Sequence, residues 1–214
     1  MRRTKGKCTY CGITGVKLGR DHVLPRSFYP DSLRGSQVQR ITVPACTTCN
    51  GGWSDDEAHF RNVVLVAGPA NDSVRELWQA KVVPSLDERD GRRRVLELLE
   101  RTETVTVAGQ ERLKIYPASD ERVLRIVKKI VRGLSRHHEI ESIIGEARIL
   151  ADVLREPIPE DILSAGTFYD YEPEIFSYWL LRQQIEGELR TLWRLRFFKR
   201  LDFFAAVEPH PISF

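Results

Sequence analysis

With 214 residues, 42% hydrophobic and 29% charged, the chain has a globular composition and enough length to bury a core, as one domain or as a small module beside a larger one. No apolar run reaches the ~18–20 residues of a membrane span, and no apolar segment of a secretory signal follows the basic start Met1-Arg2-Arg3-Thr4-Lys5-Gly6-Lys7, so a cytoplasmic location is expected. A formal net charge of +3 permits nucleic-acid binding without demanding it, because the distribution of charge matters more than its sum.

Arg2, Arg3, Lys5 and Lys7 form a short basic arm, read either as a solvated tail or as a phosphate-contacting segment. Cys8-Thr9-Tyr10-Cys11 and Cys46-Thr47-Thr48-Cys49 then use all four cysteines of the chain in two C-x2-C pairs. Each tight turn presents two sulfurs to one point, so the two pairs can close a tetrahedral thiolate shell around a single zinc ion; a pair of disulfides is the alternative. The gap between the pairs exceeds the ~15–20 residues of common zinc ribbons, so such a site clamps the ends of an insert. Inside it, Gly12 and Gly15 allow a turn, a strand is predicted into Asp21-His22-Val23, and Pro25 stops that strand. Leu33-Arg34-Gly35-Ser36 is turn-like, residues 38–43 alternate as a returning strand, and a helix is predicted from near Asn50.

Ser54 and Glu57 have the spacing of a capping box for a helix to about Val66, with Phe60, Val63, Val64 and Ala67 on one face. Gly68-Pro69 ends it. Asn71-Asp72-Ser73 starts another helix through Leu77, Trp78 and Ala80, and a third is predicted over 95–99. Residues 104–116 read as a β-hairpin turning at Gly109. Asp120 begins the longest helix, with Val123, Leu124, Ile126, Val127, Ile130, Val131 and Leu134 as its buried stripe. Arg122, Arg125, Lys128, Lys129, Arg132 and Arg136 fill the remainder, read as a solvated face or as a nucleic-acid-binding one. Residues 143–154 are predicted helical, and Pro157 and Pro159 mark a break. Beyond it the aromatics favour strands, and Trp193, Leu195 and Phe197 alternating with Arg194 and Arg196 predict a half-buried one. These aromatics are read as core of an antiparallel sheet, and His59, His137 and His138 as packing or surface residues.

The dipeptide Asp21-His22, beside a second cysteine pair that runs directly into Asn50, resembles the HNH nuclease family with its ββα-metal fold. More narrowly, it is similar to the four-cysteine branch that includes phage Holliday-junction-resolving endonucleases. The resemblance covers roughly the first quarter of the chain. It implies that His22 is the general base, work that suits an imidazole with a near-neutral pKa. It also implies that Asp21 and Asn50 hold a catalytic divalent cation, Mg²⁺ or Mn²⁺ given their hard oxygen donors. The zinc is then structural, since four thiolates leave it no open position.

The family's middle asparagine has no counterpart in Arg40-Ile41-Thr42-Val43-Pro44, and a backbone carbonyl is available to orient His22 instead. Arg20, Arg26 and Arg40 flank the site as candidate phosphate contacts. Because neighbours on a strand point to opposite faces, the site requires the strand to bend or end at Asp21-His22.

The expected architecture is α+β. A zinc-clamped ββα-metal nuclease module over 1–67 is followed, over 68–214, by an α+β accessory domain for target or partner binding, made of a helical region and an aromatic-rich antiparallel sheet. The expected activity is metal-dependent hydrolysis of DNA phosphodiester bonds. DNA is the expected partner, and a second copy or another protein could meet residues 68–214. The alternatives are a non-catalytic zinc module that binds nucleic acid or protein, and an RNA-cleaving toxin of the same fold.

Overall fold

The computed structural model describes residues 6–33, 40–67, 71–87, 89–107, 110–115, 120–172 and 174–212. Its first unit is a two-stranded antiparallel hairpin of β1 (Leu18–His22) and β2 (Thr42–Cys46), in which Leu18 faces Cys46 and His22 faces Thr42. β1 ends where the sequence predicts, before Pro25 and a 3-10 turn over Arg26–Phe28. β2 starts later than predicted and runs through Pro44. A ribbon of two strands has open edges, where a residue without an N–H is tolerated, and the Pro44 carbonyl accepts from the Thr9 N–H at 2.9 Å. The predicted turn at Arg34-Gly35-Ser36 and the strand start at Val38 and Gln39 lie outside the described residues.

Two helices follow, α1 (Thr47–Gly51), which carries Asn50, and α2 (Ser54–Val66). The capping box expected at Ser54 does not form. Trp53 is the N-cap, the Ser54 hydroxyl donates back to the Gly51 carbonyl at 2.9 Å, and Glu57 turns to another partner. With only Gly52 and Trp53 between the helices, the orphan carbonyls ending α1 are the nearest acceptors.

Asn71 caps α3 (Asp72–Leu77) by accepting from the Val74 N–H at 2.9 Å, and a π-helical turn over Trp78–Val82 leads into α4 (Val83–Leu86). Next come α5 (Arg89–Glu100), longer than predicted, and the hairpin of β3 (Glu103–Val107) and β4 (Gln110–Ile115), whose predicted turn at Gly109 is outside the described residues.

The longest helix, α6 (Glu121–His137), starts at the predicted cap, Asp120, which accepts from the Arg122 and Val123 N–H groups. Its apolar stripe is buried except for the partly exposed Leu124, and of its basic residues Lys129 and Arg132 are buried rather than solvated. Arg122 and Arg125 each reach Asp56 at 2.8 Å, Arg132 donates to the Tyr10 carbonyl, and Lys129 is wholly enclosed. α6 is buried on all sides only through its middle, from Lys129 to Ser135, where α2 and the first hairpin pack against it. At its closest approach, a Cβ on Gly133 would come within 2.7 Å of the Val23 side chain.

The helix expected over 143–154 is instead a 3-10 turn, Glu146–Arg148, and then β5 (Ile149–Val153). Ile149 and Ala151 are buried while Leu150 is exposed, the period of a strand, and the pairing that stabilises it comes from the far end of the chain. After α7 (Glu160–Ser164) come β6 (Thr167–Glu172), β7 (Phe176–Ile185), β8 (Glu188–Phe197) and β9 (Leu201–Val207). They form a five-stranded antiparallel sheet in the order β5-β9-β8-β7-β6. Trp193, Leu195 and Phe197 point inward as predicted.

One apolar core joins this sheet to the first helices: Phe28 lies 5.4 Å from Phe60 and 5.9 Å from Phe197, ring centre to ring centre. The architecture is thus mixed α+β, with a helical region and a C-terminal antiparallel sheet. Among the described residues no helix is long and apolar enough to cross a membrane.

Candidate functional site

The first knuckle is shaped by its backbone. The Cys8 N–H donates to the Ile13 carbonyl and the Gly12 N–H to the Cys8 carbonyl, each at 3.0 Å, and Gly12 takes φ 74°, a conformation glycine adopts without strain. The second knuckle is the junction of β2 with α1, so the hairpin carries it opposite the first. All four sulfurs lie within 4.8 Å of one another, none in a disulfide, and Cys11 Sγ is 3.8 Å from Cys46 Sγ. A tetrahedron with ~2.3 Å zinc–sulfur bonds has edges of about 3.8 Å. The four cysteines therefore cluster closely enough to hold a metal ion, and a four-thiolate set suits zinc.

Burial opposes ionisation of Cys8, but the backbone N–H groups of Cys11, Cys46 and Tyr10 outweigh it and bring the thiol down to about 6. Cys49 is pushed up, by burial first and then by the neighbouring sulfurs of Cys46, Cys11 and Cys8, a crowding that a bound cation relieves.

β1 carries the Asp21-His22 pair. Its alternation sets Gly19, Asp21 and Val23 on the face that meets α1 and α6, with Arg20 and His22 on the other. Asn50 of α1 lies over Gly19: a Cβ there would come within 3.2 Å of the Asn50 side-chain nitrogen. Asp21 and Asn50 are thus brought to one face of the strand, and His22 stands at the strand's last residue on the opposite face. His22 is half-buried, and its imidazole is held below its ordinary pKa, by burial first and then by the Arg26 charge; Asp21 opposes this, while Arg40 and Lys129 add to it. At neutral pH it is a neutral base, able to accept a proton. Across the ladder it faces Thr42, whose hydroxyl accepts from Arg20 Nε at 3.1 Å.

Two further residues, which the sequence does not assign to this site, stand beside Asp21. The Lys129 ammonium, its side chain 0% exposed, sits 3.0 Å from Asp21 Oδ2 and 2.5 Å from Glu57 Oε1. The Tyr10 ring lies 5.7 Å from that ammonium, and its hydroxyl is pushed up by burial and by Asp21. Asp21 itself is only 6% exposed, whereas Asn50 is exposed. Asp21 and Glu57 against one lysine leave a net charge of −1, so a divalent cation near the exposed amide of Asn50 is electrostatically acceptable, although it shares Asp21 with an ammonium. Nothing in the local pattern marks Lys129, which differs from its basic neighbours on α6 only in what the fold puts beside it.

Arg26, the first residue of the 3-10 turn after β1, and Arg40 both lie close enough to act on His22, and they line one cleft. Arg40 lies over the Tyr29 ring at 4.0 Å and donates to the Leu33 carbonyl at 3.4 Å. Arg20 points along the hairpin to Thr42 and does not line the cleft where Arg26 and Arg40 meet. The other histidines take packing or surface roles: His59 Nε2 is 3.0 Å from Asp120, His137 and His138 meet the hydroxyls of Tyr171 and Tyr178 at 2.9 and 2.7 Å, and the exposed His210 pairs with Glu188 at 2.9 Å.

No family model matches the chain, and neither a curated protein nor a solved structure matches it.

Proposed function

We propose that the chain is a metal-dependent HNH endonuclease acting on DNA, with zinc on Cys8, Cys11, Cys46 and Cys49 holding residues 1–67 together and residues 68–214 serving target or partner binding. The observation that carries this reading is His22: a half-buried imidazole kept neutral at the end of β1, bordered by Arg26 and Arg40, with Asp21 of the same strand and Asn50 of α1 brought together on that strand's other face. A purely structural zinc knuckle has no need of that set. In this reading His22 takes the proton from the attacking water, and Arg26 and Arg40 contact the phosphate backbone next to it. Asp21 and Asn50 would hold Mg²⁺ or Mn²⁺, which when bound polarises the phosphoryl group and stabilises the leaving oxygen. The four-thiolate zinc has no open position and does no chemistry.

A second reading is favoured by one observation: the Asp21 carboxylate is already engaged by the buried Lys129, as a structural ion pair would be. On that reading the chain is a zinc module that binds nucleic acid or protein without cutting.

Purified wild type and His22→Ala, incubated with plasmid, junction and RNA substrates in Mg²⁺ and in Mn²⁺, separate the readings. Loss of a general base costs ~10²–10⁴-fold in rate, so His22→Ala should nearly abolish cleavage while zinc content and DNA binding persist. Cleavage of RNA alone would move the assignment to an RNA-cutting toxin. Equal cleavage by both proteins, or none by wild type, would remove the proposed mechanism.

A further inference from the structure

Beside the hairpin, and partly outside the first 67 residues, lies an open polar cleft of about 640 Å³. It is lined by Arg26, Ser27, Tyr29, Asp31, Arg40 and Lys81. Three of these side chains are cationic and one is anionic, so the cleft carries a formal charge of +2 (3 − 1). The Arg40 guanidinium is stacked 4.0 Å over the Tyr29 ring, which fixes its plane and presents its N–H edge. Lys81 comes from the π-helical turn Trp78–Val82, a rare form frequently found at functional positions. Its ammonium is 3.4 Å from Asp31 and remains partly exposed. The Ser27 hydroxyl adds a neutral donor to the same wall.

We infer that this cleft is a phosphate subsite that grips the nucleic-acid backbone beside the bond to be cut, with Arg26, Arg40 and Lys81 as its cationic contacts. The inference deepens the nuclease reading and rests on it for the identity of the neighbouring site. The chemistry selects backbone over base, because among the described residues that line the cleft the aromatic face is that of Tyr29, and Arg40 covers it. An open cleft with three cationic heads suits a chain of phosphodiesters passing through, held mainly by charge. It also gives the helical region a direct part in substrate binding, since Lys81 reaches the cleft from a different segment than the two arginines.

The test is binding of a labelled DNA duplex to zinc-loaded protein without added Mg²⁺ or Mn²⁺, followed as a function of salt. Lys81→Ala should weaken binding and flatten the slope of log affinity against log salt by ~0.9, the value of one lost phosphate contact. Lys81→Arg should keep the wild-type slope. Lys199→Ala removes an exposed cation outside the cleft and should leave the slope unchanged. An unchanged slope in Lys81→Ala, or an equal fall in Lys199→Ala, would overturn the subsite. A flattened slope in a protein that cuts nothing keeps the subsite and removes the nuclease, whereas an unchanged slope in a protein that cuts removes the subsite alone.

Discussion

Lys129 shows how far one residue's role can depart from its type. A lysine is rarely enclosed, because taking an ammonium out of water is costly unless opposite charges meet it. Here Asp21 and Glu57 both do, at 3.0 and 2.5 Å, so the charge is paired twice. Replacing Lys129 with alanine leaves two carboxylates facing a cavity without a counter-charge. The expected loss is about 3–5 kcal/mol, the usual cost of removing one partner from a buried ion pair. Urea unfolding at neutral pH would measure it, and adding Glu57→Gln should recover part of the loss by removing one of the stranded charges. A change of less than about 1 kcal/mol in the single variant would mean that water reaches the carboxylates when the lysine is gone.

At the scale of elements, the four clustered cysteines tie the ends of the β1–β2 hairpin together, while α6 grips its side through Lys129. A two-stranded hairpin is marginal on its own in water, and this one is fastened by cysteines at the start of the insert and at the end of β2. Metal-binding free energy in such small modules is folding free energy, on the order of 10 kcal/mol or more. Untreated protein is expected to contain one zinc ion per chain. Cys46→Ser should lose that ion and unfold the hairpin, with a change in tryptophan emission because Trp53 packs 6.4 Å from Tyr10 beside the first knuckle. Elemental analysis finding no zinc, or a Cys46→Ser variant with wild-type emission and stability, would refute this account.

At the scale of the molecule, α6 is the connecting element. Lys129 and Arg132 fasten its middle to the first hairpin, and its C-terminal end docks His138 into the sheet. There His138 meets Tyr169 of β6, Tyr178 and Arg182 of β7 and Trp193 of β8, with His137 beside it on its own helix. Burial first, then the charges of His137 and Arg182, hold its imidazole down to about 4. The Tyr178 hydroxyl, which burial keeps protonated, can donate to the neutral ring.

Between pH ~6.5, where an unfolded histidine titrates, and about 4 the folded chain binds fewer protons at this site than the unfolded one. Stability therefore rises with pH across that window; this contribution is complete above it and is lost as pH falls through it. Thermal melts from pH 7 to 4 should show the decline, and His138→Gln should flatten it. An identical pH dependence in the variant would assign the decline to other groups. Further ties cross the molecule: Arg200 donates to the Val64 and Leu65 carbonyls ending α2, at 2.7 and 2.9 Å, and Asn71 donates to the Phe198 carbonyl at 3.1 Å.

What the sequence determined by itself is what short-range pattern encodes. The two C-x2-C pairs announce a four-sulfur site because each turn brings its own two sulfurs together. The stripe from Val123 to Leu134 announces α6, with Asp120 as its cap, because helical periodicity and capping are local. The alternation through Trp193, Leu195 and Phe197 announces β8 for the same reason. β5 is not legible, because its five residues are held as a strand by β9, whose paired positions lie fifty or more residues later. The basic face of α6 read as solvent-facing because charge alone does not reveal that Asp56, Glu57 and Asp21 will be packed against it. Within the candidate site, Asp21, His22 and Asn50 were identifiable one by one. That Asp21 and Asn50 share a strand face, that Asp21 is bound to a buried lysine, and that Lys81 joins two arginines in one cleft were decided by the tertiary structure, because each depends on segments that meet only when the chain is folded.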